Sequence, residues 1–138
     1  MTLFVLDTDH LSLYQRDFEP LFSNLLSHPP NELAITIITV EEQLRGRLAQ
    51  IRKATTAAHL SDCYRWLGET MDQLSRLPTL YFDDSAAIVY DGLLSQKARI
   101  GTQDLRIAAI VLSQSAVLLT RNRHEFSRVP GLQLDDWT

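Results

Sequence analysis

Short apolar runs alternate along this chain with longer segments of helical periodicity. "LFVL" (3–6) and "LAITII" (33–38) are continuously apolar, as expected of strands buried on both faces. "TLYF" (79–82) and "AVLLT" (116–120) continue the series, and "LQL" (132–134), after a Pro-Gly turn, makes a fifth strand. Between them the spacing predicts helices. One covers 8–16, with Asp7 or Thr8 as its cap, and another covers 19–28, with Pro20 in its first turn. "PPN" (29–31) is a break. A third helix runs from Glu41 to about Arg52, capped by Thr39 with Glu42 at capping-box spacing. After a looser joint at 52–58, a helix over 59–76 turns a stripe of Leu60, Tyr64, Leu67, Met71 and Leu74 inward. Asp83 or Asp84 caps a helix reaching about Arg99, with Ala86, Val89, Tyr90, Leu93 and Leu94 inward, and "IGTQD" (100–104) turns into the helix "LRIAAIVLSQ". Strands alternating with helices imply an α/β fold with a mostly parallel sheet covered on both faces.

Parallel strands present all their carboxyl ends at one edge, where open sheets bind ligands. Just past the predicted ends lie Asp7 and Asp9, then Thr39, Glu41 and Glu42, then Asp83 and Asp84, then Thr120, Arg121 and Asn122. Asp104 opens the helix that feeds the fourth strand. Carboxylates gathered in one cleft repel and partly neutralise each other unless a cation sits among them. Oxygen donors without Cys or paired His suit a hard divalent ion, Mg²⁺ or Mn²⁺. The chemistry suggested is metal-assisted hydrolysis of a phosphate ester. Each acid also has a plainer role: Asp7, Asp83, Asp84 and Asp104 as helix caps, Glu42 as a capping-box partner, Asp9 and Glu41 at the surface. His10, His28, His59 and His124 show no ligand spacing and are read as structural or exposed.

Composition narrows the picture. A length of 138 residues suits one domain, 1–138, able to bury roughly two-thirds of its unfolded surface. The single cysteine, Cys63, excludes an internal disulfide and reads as a buried thiol. No apolar stretch reaches membrane-spanning length and the N-terminus does not read as a signal peptide, so the expected location is cytoplasmic. The net charge of −4 argues against nucleic-acid binding by charge alone, but arginines cluster locally.

The blocks "FVLDTDHLS", "TIITVEEQLRG" (36–46), "IGTQDLRIAAIVL" (100–112) and "LLTRNRHEFSRVPGLQLDDW" (118–137) occur in order over nearly the whole chain. Together they resemble PIN-domain ribonucleases of the VapC toxin kind. The resemblance implies a three-layer αβα fold with sheet order 3-2-1-4-5. It implies Mg²⁺-dependent endonucleolytic cleavage of RNA, with Asp7, Glu42 and Asp104 around the metal. Thr39 and Gly46 pick out Glu42 over Glu41 as the second acid of the pattern. The fourth acidic position of the pattern falls on Asn122, whose amide oxygen is offered as a further metal ligand, with Thr120 behind it. The resemblance also implies a cognate antitoxin and a homodimer. Arg45, Arg47, Arg106, Arg121 and Arg123 then become candidates for holding RNA phosphates.

Two other readings compete. A phosphatase of the haloacid dehalogenase class also uses D-x-D after its first strand, with Asp7 as nucleophile and Asp9 as acid. Leu11 and the lack of a further acid four residues after "FDDS" speak against it. A PIN-like module that binds but cuts weakly has Asn122 as its sequence support.

Overall fold

A computed structural model describes residues 1–138. Five strands, β1 (Phe4–Leu6), β2 (Leu33–Thr36), β3 (Thr79–Leu80), β4 (Val117–Leu119) and β5 (Gln133–Asp135), form one sheet. Its order is β3-β2-β1-β4-β5 and every adjacent pair is parallel. The helices are α1 (Thr8–Gln15), α2 (Leu21–Leu26), α3 (Ile37–Lys53), α4 (Ala57–Leu74), α5 (Asp84–Ser95), α6 (Thr102–Ser113) and α7 (Arg123–Phe126). This is the expected three-layer α/β arrangement. None of the helices is long and apolar enough to cross a membrane.

The three central strands, β2, β1 and β4, are almost wholly apolar at successive positions because both sheet faces are covered there. Neighbouring residues of a strand point to opposite faces. Val5 and Leu118 accordingly enter one core cluster, with Leu93 of α5 and Ile107, Ile110 and Val111 of α6. Leu6 and Leu119 enter the other, with Leu11 and Leu13 of α1, Leu21 and Leu25 of α2, and Leu74 of α4. The register Val5↔Ala34 and Val5↔Leu118 brings β2 and β4 to end level with β1. Whatever follows these three strands therefore shares one rim.

Several boundaries differ from the sequence reading. The second strand stops at Thr36, and Ile37 and Ile38 already belong to α3. The cap is Thr36, whose hydroxyl accepts from the Thr39 amide at 3.2 Å; Thr39 is not the cap, and no capping box with Glu42 forms. An apolar run does not distinguish the end of a buried strand from the first turn of a buried helix. Pro20 lies at the cap of α2 rather than inside it, and Pro30–Glu32 form a 3₁₀ turn within the expected break. The helix α5 ends at Ser95, four residues short of Arg99; Lys97, at φ 56°, takes the left-handed conformation that stops it. Leu94 is exposed rather than inward. The helix α7 has no counterpart in the sequence reading; its four residues are too few to show a period.

The largest correction concerns α4. Leu60, Tyr64 and Met71 are exposed, and the buried positions are Cys63, Thr70 and Leu74. The helix packs chiefly on α3, a neighbour with a polar flank, so its buried face is the smaller-residue side. Cys63 is buried as expected, its thiol 3.6 Å from the Gln50 carbonyl oxygen.

Candidate active site

Asp7 follows β1 directly and caps α1, its Oδ1 accepting from the His10 amide at 2.7 Å. Its own amide donates to the Leu119 carbonyl at 3.0 Å, which ties the turn to the neighbouring strand. The residue is 5 % exposed. Capping and facing the rim are one arrangement here: the backbone hydrogen bond fixes which way the acid points.

The next residue fixes the second acid. Thr8 Oγ1 donates to Glu42 Oε1 at 2.8 Å and lies 3.1 Å from the buried Thr39 hydroxyl. Glu42 sits in the second turn of α3 and turns toward α1. Glu41, one position earlier, points elsewhere. It accepts from Gln103 at 2.9 Å and from Arg45 at 2.7 Å. The Gln103 hydrogen bond, with the positive charges of Arg45 and Arg106, holds the Glu41 carboxyl below its ordinary value.

Asp104 is the third residue of α6, whose cap is Gly101. It is therefore not an N-cap, and its carboxyl accepts no capping hydrogen bond. Burial pushes it up to about 6, reinforced by the negative charges of Glu42 and Asp7. Asn122 follows β4 at the head of α7. Its amide donates to the fully buried Thr120 hydroxyl at 2.9 Å, which closes the turn.

These groups meet. Asp7, Glu42, Asp104 and Asn122 line one cleft of about 180 Å³, with Thr8 and Asp9 on its wall and Ile107 and Phe126 contributing its apolar side. Asp7, Glu42 and Asn122 come together because β1, β2 and β4 end level, and the first turn of α6 brings Asp104 beside them. Asp9, first read as a surface acid, also lines the cleft while remaining exposed. The D-x-D spacing was its sequence signal. No three His, Cys, Asp or Glu side chains form a preassembled metal cage.

Other candidates fall outside. Asp83 caps α5, accepting from the Ala86 amide at 3.0 Å, and neither it nor Asp84 lines the cleft, because β3 is the edge strand. None of the five candidate arginines lines it either. Arg45 is paired with Glu41, Arg106 donates to Gln103 at 2.8 Å, and Arg121 and Arg123 are exposed beyond β4. Arg47 lines a separate polar groove that shares Glu42 with the cleft. His10, read as structural or exposed, is fully buried, and its place 3.4 Å behind Asp7 was not foreseen. A lone histidine without ligand spacing carries no signal of that position.

Comparison with known proteins agrees with this architecture. The chain is 30 % identical to ribonuclease VapC2 of Rickettsia felis over 147 aligned positions, covering 98 % of both chains. It is 38 % identical over 68 positions to the tRNA(fMet)-specific endonuclease VapC of Salmonella typhimurium, covering 46 % of this chain and 52 % of the relative. The solved structure of DNA-bound VapBC from Salmonella typhimurium superposes with a TM-score of 0.78 at 26 % identity, covering 100 % of both chains. No family model matches the sequence. With near-complete coverage in sequence and fold, and with the acids converging at the expected edge of the sheet, the chain belongs to the VapC ribonuclease family.

Proposed function

We propose that residues 1–138 form one catalytic domain, a metal-dependent endoribonuclease that is the toxin of a toxin–antitoxin pair. One observation carries the reading: Asp7, Glu42 and Asp104, far apart in the chain, line a single cleft. The names of the relatives, ribonuclease and tRNA endonuclease, and of the VapBC complex support the substrate class and the partner. The cognate antitoxin restrains the activity, and the toxin works in the cytoplasm as a homodimer.

The donors in the cleft fit a divalent cation. All are oxygens, the set that suits Mg²⁺ or Mn²⁺. Burial, and after it the negative charges of Glu42 and Asp7, raise the Asp104 carboxyl, and a cation would offset both. Asp7, Glu42 and Asp104 would hold the ion, joined by the Asn122 amide oxygen. The incomplete cage suits Mg²⁺, which keeps several waters and takes a substrate phosphate as partner. When bound, the ion neutralises phosphate charge and makes water a stronger acid.

The chain's own residues keep the acids in place. The His10 amide orients Asp7, and the Thr8 hydroxyl orients Glu42 while donating to it. Thr120 fixes the turn that presents Asn122. Holding groups in position before the reaction removes reorganisation from the barrier.

The test is cleavage of total RNA with Mg²⁺ by purified wild type, Asp7→Ala and Asp104→Ala. Wild type should cut, each variant should lose at least ~10²-fold, and EDTA should abolish cutting. Equal cutting by all three proteins would overturn the assignment.

A further inference from the structure

A second depression opens beside the acid cleft, between α1, α3 and α4. Its volume is about 560 Å³, and none of its ten lining residues is hydrophobic. Glu42 belongs to both walls, so the two depressions adjoin. We propose that this groove is a subsite for the single-stranded RNA that flanks the scissile bond, with Arg16 and Arg47 holding phosphate and the side-chain amides meeting base edges. The proposal rests on the ribonuclease reading above and adds to it a place where the strand lies.

Charge supports this occupant. The acid cleft repels every phosphate except one bound beside a cation. A strand leaving it needs positive charge close by. Arg45, Arg65, Arg76 and Arg128 are each paired with a carboxylate and are largely neutralised. Arg16 has no carboxylate partner. Arg47 donates only to neutral oxygens, from Nε to the buried Thr70 hydroxyl at 2.8 Å and from Nη1 to Gln50 at 3.1 Å. It is thus held in position with its charge intact. A fixed guanidinium of this kind suits a phosphate.

The remaining lining suits a base. Gln15 and Gln43 exchange two hydrogen bonds, at 3.0 and 3.1 Å, and Gln50 and Gln73 stand nearby. Side-chain amides offer a donor and an acceptor together, the pattern that pairs with base edges. Unpaired RNA presents those edges freely. The volume falls within the range of about 300–1,000 Å³ that encloses small ligands.

Gly46 gives an independent reason. It lies near the middle of α3, where glycine costs about 1 kcal/mol relative to alanine. Its φ is not positive, and a Cβ built there meets no atom within 4 Å. Neither backbone conformation nor internal packing requires glycine. The open space that a side chain would occupy is the groove itself.

A helical protein partner is the poorer fit. Such helices anchor apolar residues in apolar grooves. The adjoining depression, which shares Gln15 and Gln73 with the groove, adds Leu11, Tyr14 and Phe22 but also Asp17 and Arg76, and offers no continuous apolar track.

The test uses the full chain and a short, fluorescein-labelled single-stranded RNA, read by cleavage kinetics and by anisotropy. Gly46→Leu should raise KM at least ~10-fold with little change in kcat, and should not lower the thermal midpoint, since leucine is the better helix former. Arg16→Gln should weaken binding and reduce the slope of log affinity against log salt by roughly 0.7. Arg65→Gln, paired on another face, should alter neither. Wild-type KM in Gly46→Leu would overturn the proposal. So would unaltered RNA binding alongside weakened binding of the purified antitoxin, which would make the groove a protein-docking site. Failure of the wild type to cut RNA sinks the ribonuclease reading instead, a result separable from these because anisotropy still measures strand binding.

Discussion

His10 Nδ1 stands 3.4 Å from Asp7 Oδ1, in a fully buried position, and has no hydrogen-bond partner. On the other side of the ring, Nε2 accepts from the Trp137 amide at 3.3 Å. An accepting Nε2 places the proton of a neutral imidazole on Nδ1, facing the carboxylate. The ring therefore links the first acid of the site to the C-terminal segment. That segment is held further by Trp137, whose ring stacks on His28 at 4.4 Å and leans on Phe4 at 4.7 Å.

Replacing His10 with Phe keeps the ring volume and removes both nitrogens. The Trp137 amide then loses its acceptor, and Asp7 faces hydrocarbon. The expected cost is about 1–3 kcal/mol, the usual price of a buried polar group left unmatched. Urea unfolding measures it. An unchanged midpoint would mean that the ring acts only as filler.

Asp104 makes stability depend on pH. Its carboxyl titrates at about 6 in the folded chain, against an ordinary value of 3.8. Between those values the folded state keeps a proton that the unfolded state has released. Its stabilising contribution is complete below pH 3.8 and is lost as pH rises through about 6. In EDTA, Asp104→Asn should therefore gain on wild type from pH 4 to pH 7, and the two should converge at the acid end. Thermal unfolding across that range tests this; parallel curves would show that neither burial nor the neighbouring acids raise Asp104. Added Mg²⁺ should shrink the advantage of the variant, because the ion offsets the negative charges of Glu42 and Asp7.

Asn122 offers one neutral oxygen at the position where an acid would add charge. Affinity at oxygen sites rises with the number of charged ligands. Asn122→Asp should lower the Mg²⁺ concentration for half-maximal RNA cleavage by roughly 3- to 10-fold. The Thr120 hydroxyl bonds the backbone amide of residue 122, so the turn survives the change. A requirement that stays the same or rises would place residue 122 outside the ion's reach.

The strand–helix alternation and the acids past the strand ends were legible from short-range signals, while the sheet order and the choice of Asp7, Glu42 and Asp104 came from the family resemblance. A strand buried on both faces reads as an apolar run, and Asp7, Glu42 and Asp104 stand at fixed spacings from its end or from a helix start. What was not legible depends on contacts between distant segments. Thr8 meets Glu42 across 34 positions, and His10 meets Trp137 across 127. Nothing local marks either pair. The Ile37–Ile38 step from strand to helix was lost for another reason: both states bury those side chains.

The face of α4 tests the same lesson by mutation. Periodicity chose Leu60, Tyr64, Leu67, Met71 and Leu74; of these Leu74 is buried and Leu67 half-buried, while the other buried positions, Cys63 and Thr70, lie outside the stripe. Met71 is 58 % exposed and Leu74 is 6 % exposed, three positions apart on one helix. Met71→Lys should change the unfolding free energy of the isolated chain by no more than about 0.5 kcal/mol, as surface substitutions do. Leu74→Ala should cost about 2–5 kcal/mol, because it opens a cavity in the cluster formed by Leu6, Leu11 and Leu21. Denaturant curves on the two variants measure the difference. A large loss in Met71→Lys would put that side chain inside and restore the periodicity reading at that position.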